Sequence, residues 1–147
     1  MGLPGLRRDV DVDKLNARAA GTLPGLFGFR VTGLEQGKVA AELTIRPEFL
    51  APNGYLHAAT IIALADTACG YACLAHLPQG ADSFTTIELK SNFLGTARDG
   101  VIACVATPVH LGNTTQVWDA TVHRATDERA IAVFRCTQMI LWPKGAR

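Results

Sequence analysis

The longest apolar stretch of the chain runs from about His57 to about His76 and is rich in Ala and Leu. The proline and glycine of the following LPQG predict the end of a helix there. Apolar residues fall on all sides of the helix axis, which predicts a helix wrapped by other structure. A single carboxylate, Asp66, interrupts the stretch near its middle.

Strand patterns flank this helix on both sides. Residues 23–45 predict a strand, a turn near 35–37 and a second strand in which apolar side chains alternate with more polar ones. After the helix, turn signals separate four predicted strands, at about 83–94, 101–110, 114–124 and 130–141. This order predicts an α+β fold in which a curved antiparallel sheet of about six strands surrounds one long central helix.

The length of 147 residues predicts a single domain. Residues 1–25 are predicted to form an N-terminal arm, loose over residues 1–8, and a short helix capped by Asp11 or Asp13. A net charge of +1 without a basic run gives no electrostatic reason to expect nucleic acid as a partner. No signal-peptide core is present, and Asp66 makes the longest apolar stretch too polar for a membrane span. We therefore expect a cytoplasmic protein that does not bind membranes.

The four cysteines, Cys69, Cys73, Cys104 and Cys136, include no CxxC pair, so buried free thiols are expected. Cys69, Cys73 and His76 share one predicted helix face and could bind zinc. No fourth ligand is evident in the sequence, and a histidine near a helix end beside small buried thiols needs no metal. We expect neither a metal nor a cofactor.

Asp66 is the strongest candidate for a catalytic residue. A buried carboxylate either has a partner that satisfies it, or has a raised pKa, or takes part in chemistry. His57 lies nine residues earlier, on the opposite helix face and about 13 Å away along the axis. The two side chains therefore cannot hydrogen-bond within one chain. If both act on one substrate, two subunits of a two-fold dimer must share the site.

The predicted helix start offers a second chemical feature. The N–H groups of Ala58 and Ala59 lack helical acceptors and can hold the oxygen of a carbonyl under attack. A carboxylate facing that carbonyl could attack it or activate water, which suits acyl transfer to water. A structural role for Asp66, a capping role for His57 and a turn-shaping role for Asn53 and Gly54 are the alternatives.

The spacing of G-x-x-H, then A-D-T-A with its Asp nine residues after the His, then GYA, resembles the hot-dog-fold acyl-CoA thioesterases. The phenylacetate-pathway (PaaI-like) thioesterases are the most similar group, and TTIELKSNFLGTA at residues 85–97 resembles their strand after the helix. The resemblance covers residues 26–141. It implies hydrolysis of acyl-CoA thioesters by a homodimer or homotetramer, with coenzyme A present only as part of the substrate.

The resemblance also implies residue roles. Asp66 would be the nucleophile or general base, the N–H of Ala58 would polarise the thioester carbonyl, and the hydroxyl of Thr86 would hold the attacking water. His57 would fix the helix start. The remaining substrate-binding candidates are Asn53, Gly54, Tyr55, Ala59, Phe84 and Thr85.

This chain departs from the family pattern at two places. The family's H-G-G is His57-Ala58-Ala59 here, so two methyl groups narrow the approach to the backbone donor. An Asn that many relatives carry six residues before the His is Ala51 here, and nearby Asn53 could replace it.

Three alternatives stay open at this point. They are a non-catalytic acyl-CoA binder, an enoyl-thioester hydratase or dehydratase of the same fold, and a substrate held on a carrier protein. Basic residues that could meet coenzyme A phosphates are Lys90, Arg98, Arg124 and Arg129.

Overall fold

The computed structural model describes residues 4–145 and has one long helix packed against a six-stranded antiparallel sheet. The strand order is β1-β2-β4-β5-β6-β3, which leaves β1 and β3 at the two edges. The predicted α+β fold is confirmed. The elements are α1 (Val12–Ala19), α2 (Leu23–Leu26), β1 (Arg30–Glu35), β2 (Lys38–Thr44), α3 (Ala58–Ala75), β3 (Ser83–Phe93), β4 (Val101–Leu111), β5 (Thr115–Arg124) and β6 (Ala130–Leu141).

The N-terminal segment differs from the expected loose arm over residues 1–8, of which the first three lie outside the described residues. The N–H of Arg7 donates to the carbonyl of Ala75 at 2.9 Å, and the N–H of Leu6 donates to Oε1 of Gln36 at 2.5 Å. This part of the segment is therefore attached to the end of α3. The helix α1 begins as predicted, with Asp11 accepting from the N–H of Lys14 at 2.8 Å.

One side of α3 packs on the sheet, but the chain does not wrap the helix completely. The half-buried helix residues recur every three or four positions, which places them on one stripe that the rest of the chain leaves partly uncovered. Asp66 lies in the middle of this uncovered stripe. Its members are Ile62, Ala63, Asp66, Thr67, Tyr71 and Leu74.

The expectation that Asp66 makes this stretch too polar for a membrane span was wrong on composition, because the length of α3 and its mean hydropathy of 1.5 alone would allow it to cross a membrane. In the fold, 56% of that segment is buried against the rest of the chain. The apolar character of α3 is thus accounted for by its position in the core.

A satisfied polar network ties the end of α3 to the sheet. His76 is fully buried; its Nδ1 lies 2.8 Å from the carbonyl of Ala72, and its Nε2 accepts from the N–H of Gly37 at 2.9 Å. The side chain of Gln116 donates to the carbonyl of His76 at 2.9 Å and accepts from the indole of Trp118 at 2.9 Å. Because both ring nitrogens contact the backbone, His76 has a structural role here.

This network predicts an acid-sensitive fold. Burial lowers the pKa of His76 from its usual 6.5. As the pH falls below 6.5, the unfolded chain therefore binds a proton at this histidine before the folded chain does. The contribution of neutral His76 to the free energy of unfolding is complete above about pH 6.5. It is lost as the pH falls below that value, by at most about 1.4 kcal/mol per pH unit. Urea unfolding from pH 7.5 to 5.0 should show this slope in the wild type and a shallower slope in His76→Gln. Equal slopes would contradict the assignment.

Candidate active site

The loop before α3 is held in place by its own backbone. The carbonyl of Phe49 accepts both from the N–H of His57 at 3.0 Å and from the hydroxyl of Thr60 at 2.8 Å. The N–H of Leu56 donates to the carbonyl of Ala97 in the β3–β4 loop at 3.2 Å. Gly54 sits at φ +83°, where a side chain would strain the turn. These contacts fix where the helix begins.

His57 caps α3 and leaves one backbone donor free. Its Nδ1 accepts from the N–H of Ala59 at 2.9 Å, so the ring proton of a neutral His57 lies on Nε2. The N–H of Ala58 has no acceptor within residues 4–145. Of the two donors that the sequence predicted for a substrate oxygen, Ala59 is therefore occupied, and only Ala58 is available.

Asp66 lies in the third turn of α3 with one oxygen buried and unsatisfied. Its Oδ1 is shielded from solvent and has no hydrogen-bond partner among the described residues. Burial raises the pKa of this carboxyl from its usual 3.8. No described Arg or Lys lies within 4.0 Å of it, so the structural alternative of an Arg–Asp pair is not observed.

Phe84 and Thr86 of β3 face the same side of the sheet as α3. Phe84 is opposite the buried Ile140, and Thr86 is opposite the buried Gln138 of β6. A β-bulge at Ile87 follows, because Thr86 and Glu88 pair with consecutive residues of β6. The hydroxyl of Thr86 donates to Oε1 of Gln138 at 2.8 Å.

Gly70 explains why the ring of Phe84 approaches the helix so closely. A Cβ placed on Gly70 would lie 3.1 Å from Cζ of Phe84, closer than ordinary packing permits. Gly70 is one helical turn after Asp66, so the aromatic ring lies beside the carboxylate-bearing stripe. The sequence contained no signal for this contact other than a glycine within a helix.

The other predicted substrate-binding residues are dispersed. Thr85 is opposite the exposed Met139, so it lies on the sheet face away from α3. Oδ1 of Asn53 accepts from the N–H of Tyr55 at 3.2 Å, which makes Asn53 a turn-shaping residue. The guanidinium of Arg98 stacks over the exposed ring of Tyr55 at 4.4 Å from its centroid.

The four cysteines are buried and free, as expected. A hydrogen bond with Cys136, followed by burial, raises the pKa of Cys69 well above its usual value. Burial raises the pKa of both Cys73 and Cys104 to about 12. The thiols of Cys69, Cys73 and Cys104 are therefore protonated at neutral pH, which argues against any of the three as a nucleophile. The predicted zinc alternative finds no support, because both ring nitrogens of His76 contact the backbone.

A single chain does not bring the free donor and the carboxylate together. Ala58 and Asp66 are eight residues apart on α3, about 12 Å along its axis. Two copies with antiparallel α3 helices would place the Asp66 of one near the Ala58 of the other. The site geometry therefore favours a composite site.

The β3 edge supplies a surface for such a pairing. Leu89 and Phe93 are opposite the buried Cys136 and Ala132 of β6, on the α3 side of the sheet, but remain 41% and 45% exposed. Leu94, directly after β3, is 59% exposed. Unpaired backbone and exposed apolar side chains on one edge favour pairing with another chain.

Comparisons with known proteins identify the relatives of the chain as a whole. A family model described as "Thioesterase superfamily" matches residues 53–131, more than half of the chain. A 1,4-dihydroxy-2-naphthoyl-CoA hydrolase of Listeria monocytogenes is 27% identical over 111 residues, covering 76% of this chain and 89% of that protein.

Solved structures share the fold. A thioesterase family protein from Silicibacter pomeroyi has a TM-score of 0.79 and 31% identity, covering 89% of this chain and 98% of that one. The PaaI protein of Escherichia coli has a TM-score of 0.77 and 21% identity, covering 88% of this chain and 91% of that one, and so supports the fold alone.

Proposed function

Because the chain belongs to the thioesterase superfamily and has its hot-dog fold, we propose that it hydrolyses acyl-CoA thioesters to a carboxylic acid and free coenzyme A. The observation that carries the proposal is the buried, unpartnered Oδ1 of Asp66 on the open stripe of α3. A carboxylate kept without a partner there is costly unless a substrate or water uses it.

In the proposed reaction, Asp66 attacks the thioester carbonyl or removes a proton from the attacking water. The developing oxyanion is stabilised by the N–H of Ala58 at the N-terminus of α3, where the helix dipole also favours negative charge. Collapse of the intermediate breaks the carbon–sulfur bond, and the coenzyme A thiolate takes up a proton. In the nucleophile route this collapse leaves a mixed anhydride on Asp66, and water then attacks its acyl carbonyl to release the acid and restore the carboxylate. In the general-base route water attacks the thioester directly, and Asp66 passes the proton of that water to the thiolate. The water supplies the new oxygen of the acid in both routes, and neither needs a cofactor.

We propose that the active form is a homodimer, or a homotetramer built from such dimers, in which each site takes Asp66 from one chain and Ala58 from the other. The spacing on α3 supports this arrangement, because neither residue can reach the other within one chain. The uncovered stripe of α3 and the exposed apolar side chains of β3 then cover one another across the two-fold axis.

The acyl group is proposed to lie along α3 against the ring of Phe84, with coenzyme A leaving past the loop that carries Arg98. Arg98 suits a phosphate, because its guanidinium is held over Tyr55 and has no carboxylate partner among the described residues, whereas Arg124 pairs with Asp127. The Listeria relative's name specifies an aromatic acyl-CoA, which supports including aryl substrates. We place the activity in the cytoplasm.

The test is the direct ultraviolet loss of the thioester bond across short, medium, long and aryl acyl-CoAs. Direct absorbance avoids interference from the protein's four thiols. Hydrolysis of any of these substrates would establish the activity, and the substrate hydrolysed fastest would identify the preferred acyl class. If the protein binds acyl-CoA saturably but hydrolyses neither acyl-CoA nor acyl-carrier-protein thioesters, the result would instead favour a non-catalytic binding protein.

Gly70→Ala should change acyl preference while stabilising the helix. The added methyl group pushes the ring of Phe84 towards the acyl group, so the ratio of kcat/KM should shift about tenfold towards smaller acyl groups. Helix propensity favours Ala by about 1 kcal/mol, which offsets part of the cost of displacing the ring, so Tm should change little. Kinetics over an acyl-CoA series checks the shift, and Phe84→Leu in the same chain should restore the larger substrates. An unchanged ratio would contradict the proposed acyl position.

A further inference from the structure

Gln138 on β6 is a fully buried polar residue with both ends of its amide engaged. Its Oε1 accepts from the hydroxyl of Thr86 at 2.8 Å, and its Nε2 lies 3.3 Å from the sulfur of Cys136. A buried amide is expensive unless hydrogen-bonded, and an aliphatic residue would fill this core position more cheaply. The hydrogen bond to Thr86 is therefore the interaction that a glutamine at this position provides and an aliphatic residue cannot.

The Gln138–Thr86 pair lies on the part of the sheet that faces Asp66. Cys136, two residues before Gln138 on β6, belongs to the same buried core as Cys69, three residues after Asp66 on α3, and raises the pKa of the Cys69 thiol. Gly70, four residues after Asp66, lies against Phe84, two residues before Thr86 on the same face of β3. These two contacts join the Asp66 side of α3 to the Thr86 side of β3 within one chain.

The bulge at Ile87 directly after Thr86 supports a special orientation for this side chain. Bulges redirect side chains next to sites and end regular pairing. Thr86 is exposed even though its partner Gln138 is not, so one side of the hydroxyl contacts the core and the other is open.

The hydrogen bond fixes the direction of the Thr86 hydroxyl. A hydroxyl has one proton, and here that proton is donated to Gln138, which leaves only lone pairs on the open side. A water there can donate one proton to Thr86 and the other to Asp66. Its own lone pair is then free to point at a carbonyl carbon.

We propose that Gln138 is a positioning residue for thioester hydrolysis, which holds the Thr86 hydroxyl as an acceptor for the attacking water. The inference rests on the proposed function and extends it to a residue that does not touch the substrate. Without Gln138, the hydroxyl rotates freely and can donate to the same water, which occupies the lone pair that must attack the carbonyl carbon.

The test is a double-mutant cycle between Thr86→Val and Gln138→Met, measured on an acyl-CoA that the wild type hydrolyses. Each single variant should lower kcat about tenfold and leave KM within about twofold, since one hydrogen bond to the water is lost. The double variant should be no slower than Thr86→Val alone, because Gln138 acts only through that hydroxyl. Thr86→Ser, which keeps the hydroxyl, should retain most of the wild-type kcat.

Gln116→Met is the matched control, because Gln116 is an equally buried glutamine in the His76 network. It should lower Tm but leave kcat per folded enzyme unchanged. The inference would be overturned if the fold reduction in kcat of the double variant equalled the product of the two single reductions. An unaffected kcat in Gln138→Met would also overturn it. A wild type that hydrolyses no thioester would overturn the proposed function itself, and the two failures are therefore distinct.

Discussion

Asp66→Asn should abolish most thioester hydrolysis while leaving the fold and the assembly intact. Asn is nearly the same size but can neither attack a carbonyl nor accept a proton from water at neutral pH, so kcat should fall by about 10²–10⁴-fold. Thioester absorbance measured with the substrate that the wild type prefers gives the comparison. Asp82→Asn, at an exposed carboxylate just before β3, is the matched control and should keep wild-type turnover.

The same substitution should raise stability at neutral pH. Burial raises the folded-state pKa of Asp66 above its unfolded value of 3.8, so ionisation disfavours the folded state as the pH rises through that range. Asn removes this cost. The variant should therefore show a higher Tm at pH 7, and the difference should shrink as the pH falls towards 4.

A variant that is inactive and less stable at pH 7 would indicate that Asp66 is structural. Preserved turnover would remove Asp66 from the chemistry altogether. The predicted combination, lost activity with gained stability, is typical of a group kept for function at the expense of stability.

Ala58→Pro should remove the oxyanion donor without breaking α3. Proline lacks an N–H and is well tolerated at the first helical position, and His57 already has the extended backbone, φ −68° and ψ 137°, that a following proline requires. Losing one such donor should lower kcat by about 10²–10³-fold. Circular dichroism and Tm check the fold, and Ala58→Gly, which keeps the N–H, is the control and should stay active.

The two inactive variants together test the composite site. In a hybrid dimer of Asp66→Asn with Ala58→Pro, one of the two sites receives Asp66 and Ala58 intact from different chains, and the other receives neither. Random co-assembly should thus restore about one quarter of wild-type activity, because half of the dimers are hybrids with one working site. Co-expression under two affinity tags isolates the hybrid. Hybrids as inactive as their parents would place both residues in one chain and refute the shared site.

The strands and α3 were predictable from the sequence because their patterns are local. The apolar run between His57 and His76 matches α3, whose caps are these two histidines, and the strands after it agree with the predicted bounds to within one residue. Alternation and turn residues act over a few positions, so one chain contains enough information to place them. Motif spacing likewise identified the family and selected Asp66.

Other features depend on contacts between distant segments. The cap that occupies Ala59 depends on the rotamer of His57, and the outward position of Thr85 depends on its register with β6. The Gly70–Phe84 contact joins a helix to an edge strand, and the burial of Gln138 becomes meaningful only beside Thr86. The His57 cap is local in sequence but depends on one rotamer. Gly70 and Phe84 are 14 residues apart and Thr86 and Gln138 are 52 apart, so packing and strand register, and no local pattern, bring these partners together.

The sequence by itself determined the order of elements, the single carboxylate in the apolar helix and the need for two chains if Ala58 and Asp66 are to meet. Those conclusions follow from periodicity and from the fixed rise of a helix. Only the tertiary structure decided which backbone donor is free, which face of β3 meets α3 and which buried side chain directs the Thr86 hydroxyl. These depend on side-chain directions and on strand register, which the fold sets when distant segments pack.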